Sequence, residues 1–303
     1  MEPNISTSSA KISRYKDKHW FRLITVFYKS LIAYIREGAF FHGAALAYYT
    51  LFAFVPIVYL ASSIFGRIFG QKNMENIISD LFQNQVGIKD TSGIMGMLKG
   101  VNFDKPNLFM EIFSIAILIY GCSAFLVSLK RSINEFFQIN RKKRQEENII
   151  LDFIGFRFLS IGMLALFALL VILFYFLQMF IFSGIENYIH AQNGFVDFSI
   201  KLIQYSSSIL CNSIIFTLIF KYIHDGKVEW KLAIRGGIVT STLLFFSQLL
   251  IRYYLQHYFS LGNLGIVGSL FVFLAWVNYS AQIVFFGAKF TFMLGEEMDT
   301  PVG

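Results

Sequence analysis

Histidines, acids and amides are the residues from which chemistry would have to be built, and this chain spreads them thinly. Its five histidines stand at positions 19, 42, 190, 224 and 257, with no spacing that would bring two onto one metal. His224 is followed by Asp225 in a polar connector, which reads as a surface turn. No Cys-x-x-Cys, glycine-rich phosphate loop or Gly-x-Ser-x-Gly elbow is present. A hydrolase or nuclease needs a metal cluster or an acid–base pair, and neither is legible. The sequence therefore offers no catalytic residue, metal ligand or cofactor site.

A second set of polar residues lies inside long apolar runs, where each is costly unless it meets protein or water. Asn212, Gln248, Asn278, Gln282 and Lys289 belong to it, as candidates for lining a cavity. Their bland role is hydrogen bonding between helices, worth about 0.6 kcal/mol each. Glu111 opens one apolar run and Arg252 closes another, and they are candidates for an ion pair near the outer surface. At about 100° per residue, Ala275, Asn278, Gln282 and Lys289 fall on one stripe of the last run. Ser269, Trp276, Ser280 and Gly287 fall on the opposite side, where small residues admit a neighbouring helix. Ile266, Leu270, Val277 and Val284 form an apolar stripe that suits lipid. The polar stripe cannot face hydrocarbon, so it must meet helices or water. The expectation is a water-filled cavity open to the cytoplasm, with Lys289 at its mouth.

The elements that hold these residues are membrane spans. From Tyr253 to Ala288 the chain has no Lys, Arg, Asp or Glu over 36 residues, where about 20 suffice to cross a bilayer. Composition agrees: 55% of the 303 residues are hydrophobic and 15% charged, against about 25% charged in a soluble domain. The expected fold is all-α, with six transmembrane helices and an N-terminal amphipathic helix lying in the interface. Residues 1–13 read as a disordered tail, 14–37 as the interfacial helix and 38–295 as the transmembrane domain. The spans are expected at about 39–65, 109–130, 158–184, 201–221, 234–255 and 264–292, and 296–303 as a cytoplasmic tail. The fifth is short between its charges, and works if Arg235 and Arg252 extend towards the two surfaces. Gly43 and Ala47 form a small-xxx-small pair in the first span, and Pro56 is expected to kink it. Cys122 and Cys211, both in apolar runs, read as packing residues rather than a disulfide.

With Arg252 and Lys289 left as helix-end residues, Lys and Arg number 18 on one side of this topology and 6 on the other, which places both termini in the cytoplasm. In residues 14–37, Trp20, Ile24, Phe27, Leu31 and Ile35 alternate with Lys18, Arg22, Lys29 and Arg36. Such a helix either lies on anionic lipid or packs on its own bundle, and the two can hold together. The net charge of +7 thus speaks for anionic lipids of the cytoplasmic leaflet as partners and not for nucleic acid. Nothing in the sequence sets the oligomeric state.

Two stretches resemble the YihY/virulence factor BrkB family of bacterial membrane proteins. One is GAALAYYTLFAFVPI (43–57). The other pairs VEWKLAIRGGIVTSTLLF (228–245) with LGIVGSLFVFLAWVNYSAQIVFFGAKF (264–290). The resemblance implies six spans in a bacterial inner membrane and no settled activity. Some members carry a ribonuclease label, and others are discussed as envelope or transport proteins. Where the family's last span usually reads Gly-Ala-Glu, this chain has Gly287-Ala288-Lys289, so any role of that carboxylate does not carry over. Transport or handling of a solute or lipid is the leading expectation. A structural envelope protein without turnover comes second and a hydrolase third.

Overall fold

Long apolar stretches satisfy their backbone groups internally, and helices are what the chain builds from them. A computed structural model describes residues 22–69, 108–139, 194–257 and 265–298, and positions 76, 79, 162, 169, 300 and 302. No strand occurs among the described residues, single helical residues stand at 76, 79, 162 and 169, and six helices are described along their length. They are α1 (22–36), α2 (Ala39–Phe69), α3 (Leu108–Phe136), α4 (Gly194–Tyr222), α5 (Trp230–His257) and α6 (Gly265–Glu297). The expected span at 158–184 apart from positions 162 and 169, the expected tail at 1–13, residues 14–21 of the expected interfacial helix and most of residues 70–107 between the first two expected spans lie outside the described residues. By length and composition three described helices can cross a membrane: α3, residues 230–255 of α5 and residues 270–297 of α6. The 33 residues of α6 extend about 50 Å at 1.5 Å per residue, well beyond a core of about 30 Å, so its end projects or tilts. Pro56 lies within α2, which continues past it to Phe69.

The buried side chains gather at one end of the bundle. Ile133 and Phe136 close α3 and Phe137 follows it, Phe220 closes α4, Leu232 opens α5, and Phe285 lies in the second half of α6. Rings interlock there: Phe136 lies 5.4 Å from Phe285 and 5.9 Å from Tyr34. At the other end Phe109, Phe113, Leu250, Tyr253, Val267 and Phe271 are exposed. That polarity sets the functional geometry, because the charged residues of α1, α3 and α6 converge on the tightly packed end.

Within this end, α5 and α6 meet through a reciprocal motif. A β-carbon added at Gly236 would collide with Thr291, and one at Gly287 with Thr240. Each threonine donates its hydroxyl to the glycine carbonyl four residues earlier on its own helix, Thr240 to Gly236 and Thr291 to Gly287, both at 2.7 Å. The hydroxyls are satisfied without crossing between helices, and the glycines let the two backbones close up. Gly287 thus faces a neighbouring helix as its stripe suggested. The lipid stripe is different from expectation: α6 exposes Val267, Phe271 and Tyr279, whereas Val284 packs against the buried cluster. The expected stripe followed residue type alone, and the exposed face is the one α2 and α5 leave uncovered.

Two chain reversals bring α1 and α3 to the same place. Between α1 and α2 stands Gly38 with φ of 68°, a left-handed conformation that costs glycine little. Its carbonyl accepts the amide of Phe41 at 3.1 Å, starting α2 directly. At the end of α3, Ile139 N donates to Asn134 O and Gln138 N to Glu135 O, both at 2.9 Å, a Schellman closure. Its left-handed position is held by Gln138, φ 52°, where glycine is the usual choice.

The α1 helix presents three faces. Val26, Ser30 and Tyr34 are buried against the bundle. Ile24, Tyr28, Leu31 and Ile35 form an exposed apolar face. Arg22, Lys29 and Arg36 lie on a third, exposed face. Packing on the bundle therefore occupies one side only and leaves an apolar and a basic side outward.

Candidate functional site

The polar stripe of α6 faces α1 and α2. Nearest mid-helix, Asn278 and Gln282 lie against Gly43 of α2, where an added β-carbon would come within 2.6 Å of Asn278 Oδ1 and 2.5 Å of Gln282 Nε2. Gly43 is thus small because two amides occupy its space. Gln282 Nε2 donates to Phe40 O at 3.3 Å and to Asn278 Oδ1 at 3.4 Å, while its Oε1 accepts the Tyr34 hydroxyl. Burial pushes the Tyr34 phenol well above its ordinary range, so it stays protonated and donates.

Two turns further along α6, the Lys289 ammonium is 2.5 Å from Glu37 Oε1. Lys289 has 0% exposure, against 29% for the Glu37 side chain. The ammonium also lies 4.8 Å from the Phe292 ring centre. Gln138, the strained residue closing α3, reaches the same Glu37 oxygen at 3.4 Å. The other oxygen, Oε2, is buried and has no hydrogen-bond partner among the described residues. A buried carboxylate oxygen left unmatched costs free energy that the pair alone does not return, and it stands as an open acceptor. Beside this pair, His42 places Nδ1 2.8 Å from Ser132 Oγ and Nε2 3.5 Å from Glu135 Oε2, with its ring against Phe136 and Phe285. Further along, Arg22 and Lys29 of α1 each lie 3.9 Å from Glu297 at the end of α6.

The structure thus joins Asn278, Gln282 and Lys289 to one another through α1 and α2. Expected at a cavity mouth, Lys289 has its charge enclosed by protein, because α1 folds back over this part of α6. Asn212 on α4 and Gln248 on α5 are half-buried, and among the described residues neither hydrogen-bonds to the α6 stripe. Nor does an ion pair join Glu111 to Arg252 among the described residues. Both are half-buried, and Arg252 Nε is enclosed without a hydrogen-bond partner there. They sit on α3 and α5, which pack chiefly on α2 and on α4 with α6 instead of on each other. Among the described residues no three His, Cys, Asp or Glu side chains come together as a metal site, and Cys122 and Cys211 are not bonded to each other.

Glu37 and Tyr34 are the members that residue patterns missed. The usable signal was isolation: Glu37 is the only acid between Asp17 and Glu75. It stands at the entrance of the first span, opposite a lone lysine near the end of the last.

A second polar cluster ties α3 to the connector between α4 and α5. Asn134 exchanges two hydrogen bonds with Asp225: its Nδ2 donates to Oδ2 at 2.8 Å, and its Oδ1 accepts the Asp225 amide at 2.9 Å. Lys130 lies 2.5 Å from Asp225 Oδ1. His224, taken from the sequence for part of a surface turn, is 7% exposed. Its Nε2 donates to Phe220 O at 2.7 Å and its Nδ1 accepts the Gly226 amide at 3.0 Å, an arrangement only the neutral ring can make. Burial lowers its pKa from the ordinary 6.5, outweighing the Phe220 carbonyl and Asp225, which act the other way. The unfolded chain therefore binds this proton more readily than the folded one. Stability is complete above pH 6.5 and falls as pH drops below that value. Thermal unfolding of the purified protein at pH 7.5 and pH 5.5 is expected to show a lower midpoint at pH 5.5, with the difference reduced in His224→Asn. An unchanged midpoint would mean that the ring is hydrated.

The Virulence factor BrkB family matches residues 32–302, from within α1 to the end of the described chain. Among curated proteins, the chain is 24% identical over 255 residues to a UPF0761 membrane protein of Psychromonas ingrahamii, covering 83% of this chain and 81% of that one. It is 26% identical over 252 residues to a UPF0761 membrane protein of Actinobacillus pleuropneumoniae, covering 81% and 84%. A third, from Saccharophagus degradans, is 22% identical over 263 residues, covering 87% of this chain and 58% of that longer protein. No solved structure matches. The family match takes in α2, α3, α4, α5 and α6 whole, together with Lys289 and Glu37: the chain belongs to the Virulence factor BrkB family.

Proposed function

We propose that this membrane protein transports or handles a solute or lipid across the bacterial inner membrane, with both termini in the cytoplasm. In this reading the polar face of α6 is its path and the Glu37–Lys289 pair is the charged element at the cytoplasmic end. The observation that carries the proposal is that pair. A buried ion pair contributes little net stability once desolvation is counted, so holding the fold is a weak reason for it. Its position continues the line of Asn278 and Gln282, and Glu37 Oε2 is an acceptor without a donor among the described residues, suited to a cationic group in transit. The orientation rests on the 18 to 6 distribution of basic residues. The exposed basic and apolar faces of α1 are read as contacts with anionic lipid of the cytoplasmic leaflet.

The test is labelling of single cysteines at 278 and 282, in a background lacking Cys122 and Cys211, with a membrane-impermeant thiol reagent. Both positions are expected to label in inside-out vesicles and to stay silent in right-side-out ones. Labelling from the outer face would overturn the orientation. Silence from both faces would favour the second reading, a structural envelope protein without turnover. That reading has its own observation: with 0% exposure Lys289 is packed as tightly as the core phenylalanines.

A further inference from the structure

Away from the polar stripe, α4 and α5 enclose a groove of about 710 Å³, within the roughly 300–1,000 Å³ typical of small-ligand sites. Ile209, Leu210, Ile214, Ile234 and Ile238 line it, and Trp230 stands at one end. It runs along α4 from Ser206 to Leu218, about 18 Å at 1.5 Å per residue. Its lining also carries the hydroxyls of Ser206, Ser213 and Thr217. Ser213 is 2.6 Å from Ser241, and Thr217 packs against Gly237. A long, narrow, apolar channel of this kind fits an alkyl chain better than a polar solute.

What stands at the Trp230 end decides the occupant. Lys221 lies one turn beyond Leu218 on α4, and its ammonium is 5.5 Å from the Trp230 ring centre. It gives one hydrogen bond to Val228 O at 2.5 Å, and an ammonium has three donors. Lys227 and Lys231, both exposed, flank the same end, against Glu229 and an Asp225 that already pairs with Lys130. The indole supplies an amphipathic rim of the kind that sits at headgroup level. We propose that this groove is a binding site for an anionic phospholipid, with an acyl chain along α4 and α5 and its phosphate against Lys221. The site is independent of the path on α6, so the proposal does not require the transport reading.

The experiment uses the full chain with Trp20 and Trp276 replaced by phenylalanine, leaving Trp230 as the sole indole. It is reconstituted in phosphatidylcholine vesicles containing increasing fractions of a phospholipid brominated on its acyl chains. Brominated phosphatidylglycerol is expected to quench Trp230 at about fivefold lower mole fraction than brominated phosphatidylcholine, from one basic residue at the headgroup. Lys221→Gln should remove that preference and Lys221→Arg should keep it. Ile214→Phe, which fills the groove from an exposed position, should weaken quenching by both lipids. Equal quenching by the two lipids in the parent would mean that Trp230 meets only bulk bilayer, and would overturn the proposal. So would a preference that survives Lys221→Gln. Neither result bears on cysteine labelling at 278 and 282.

Discussion

Glu37→Met is expected to destabilise the folded protein by about 3–5 kcal/mol, and Lys289→Met by less. The asymmetry follows from where each partner sits. Without Glu37, the Lys289 ammonium is left with 0% exposure and, among the described residues, a cation–π contact with Phe292 in compensation. Without Lys289, Glu37 keeps 29% exposure and a neighbouring Gln138 amide, so water can take over part of the lost interaction. The double variant, with methionine at both positions, replaces the pair by apolar side chains of similar length and should recover most of the loss. Unfolding of the four proteins in detergent micelles gives the coupling directly. Additive losses would show that the two side chains are not paired in solution. If the double variant is stable, it also separates the two functional readings. A structural protein would keep its role with methionines in place, whereas a path that uses the pair would be broken in a well-folded protein.

How the sequence foreshadowed this arrangement depends on the range of the physics involved. Long uncharged runs state directly that helices will form there, because only internal hydrogen bonding satisfies a backbone in lipid. Helical periodicity also put Asn278, Gln282 and Lys289 on one face, and that face is polar in the structure. What covers the face was not legible, since α1 reaches it through a single left-handed residue, Gly38, that redirects the chain. Without that turn Glu37 reads as a solvated charge among the basic residues of an amphipathic helix. His224 was misjudged for a similar reason. A connector rich in charge looks exposed, but Asn134 and Lys130 of α3 draw Asp225 onto the bundle and the histidine is buried with it. The proposed Glu111–Arg252 pair rested on both lying at the same depth. Depth fixes only one coordinate, and the helices that carry them pack on other neighbours.

Gly287→Ala is expected to lower stability by about 2–3 kcal/mol, against the sign that helix propensity gives. In an open helical position, alanine for glycine would stabilise by about 1 kcal/mol. Here the added methyl would meet Thr240, whose hydroxyl it overlaps and whose Cβ and Cγ2 lie 2.9 and 3.0 Å away. Thr240 has no slack: it is fully buried and its hydroxyl is held by Gly236 O. Relief must come from α5 and α6 moving apart, which also loosens Thr291 over Gly236 on the other half of the motif. Thr240→Ala alone should cost about 1 kcal/mol, the lost hydrogen bond and contacts. It removes the atoms that meet the new methyl most closely, so the double variant should be less destabilised than the sum of the two by at least about 1 kcal/mol. The same unfolding assay measures all three. Additivity, or a stabilising Gly287→Ala, would mean that the two helices stand further apart than the reciprocal glycine–threonine contact requires.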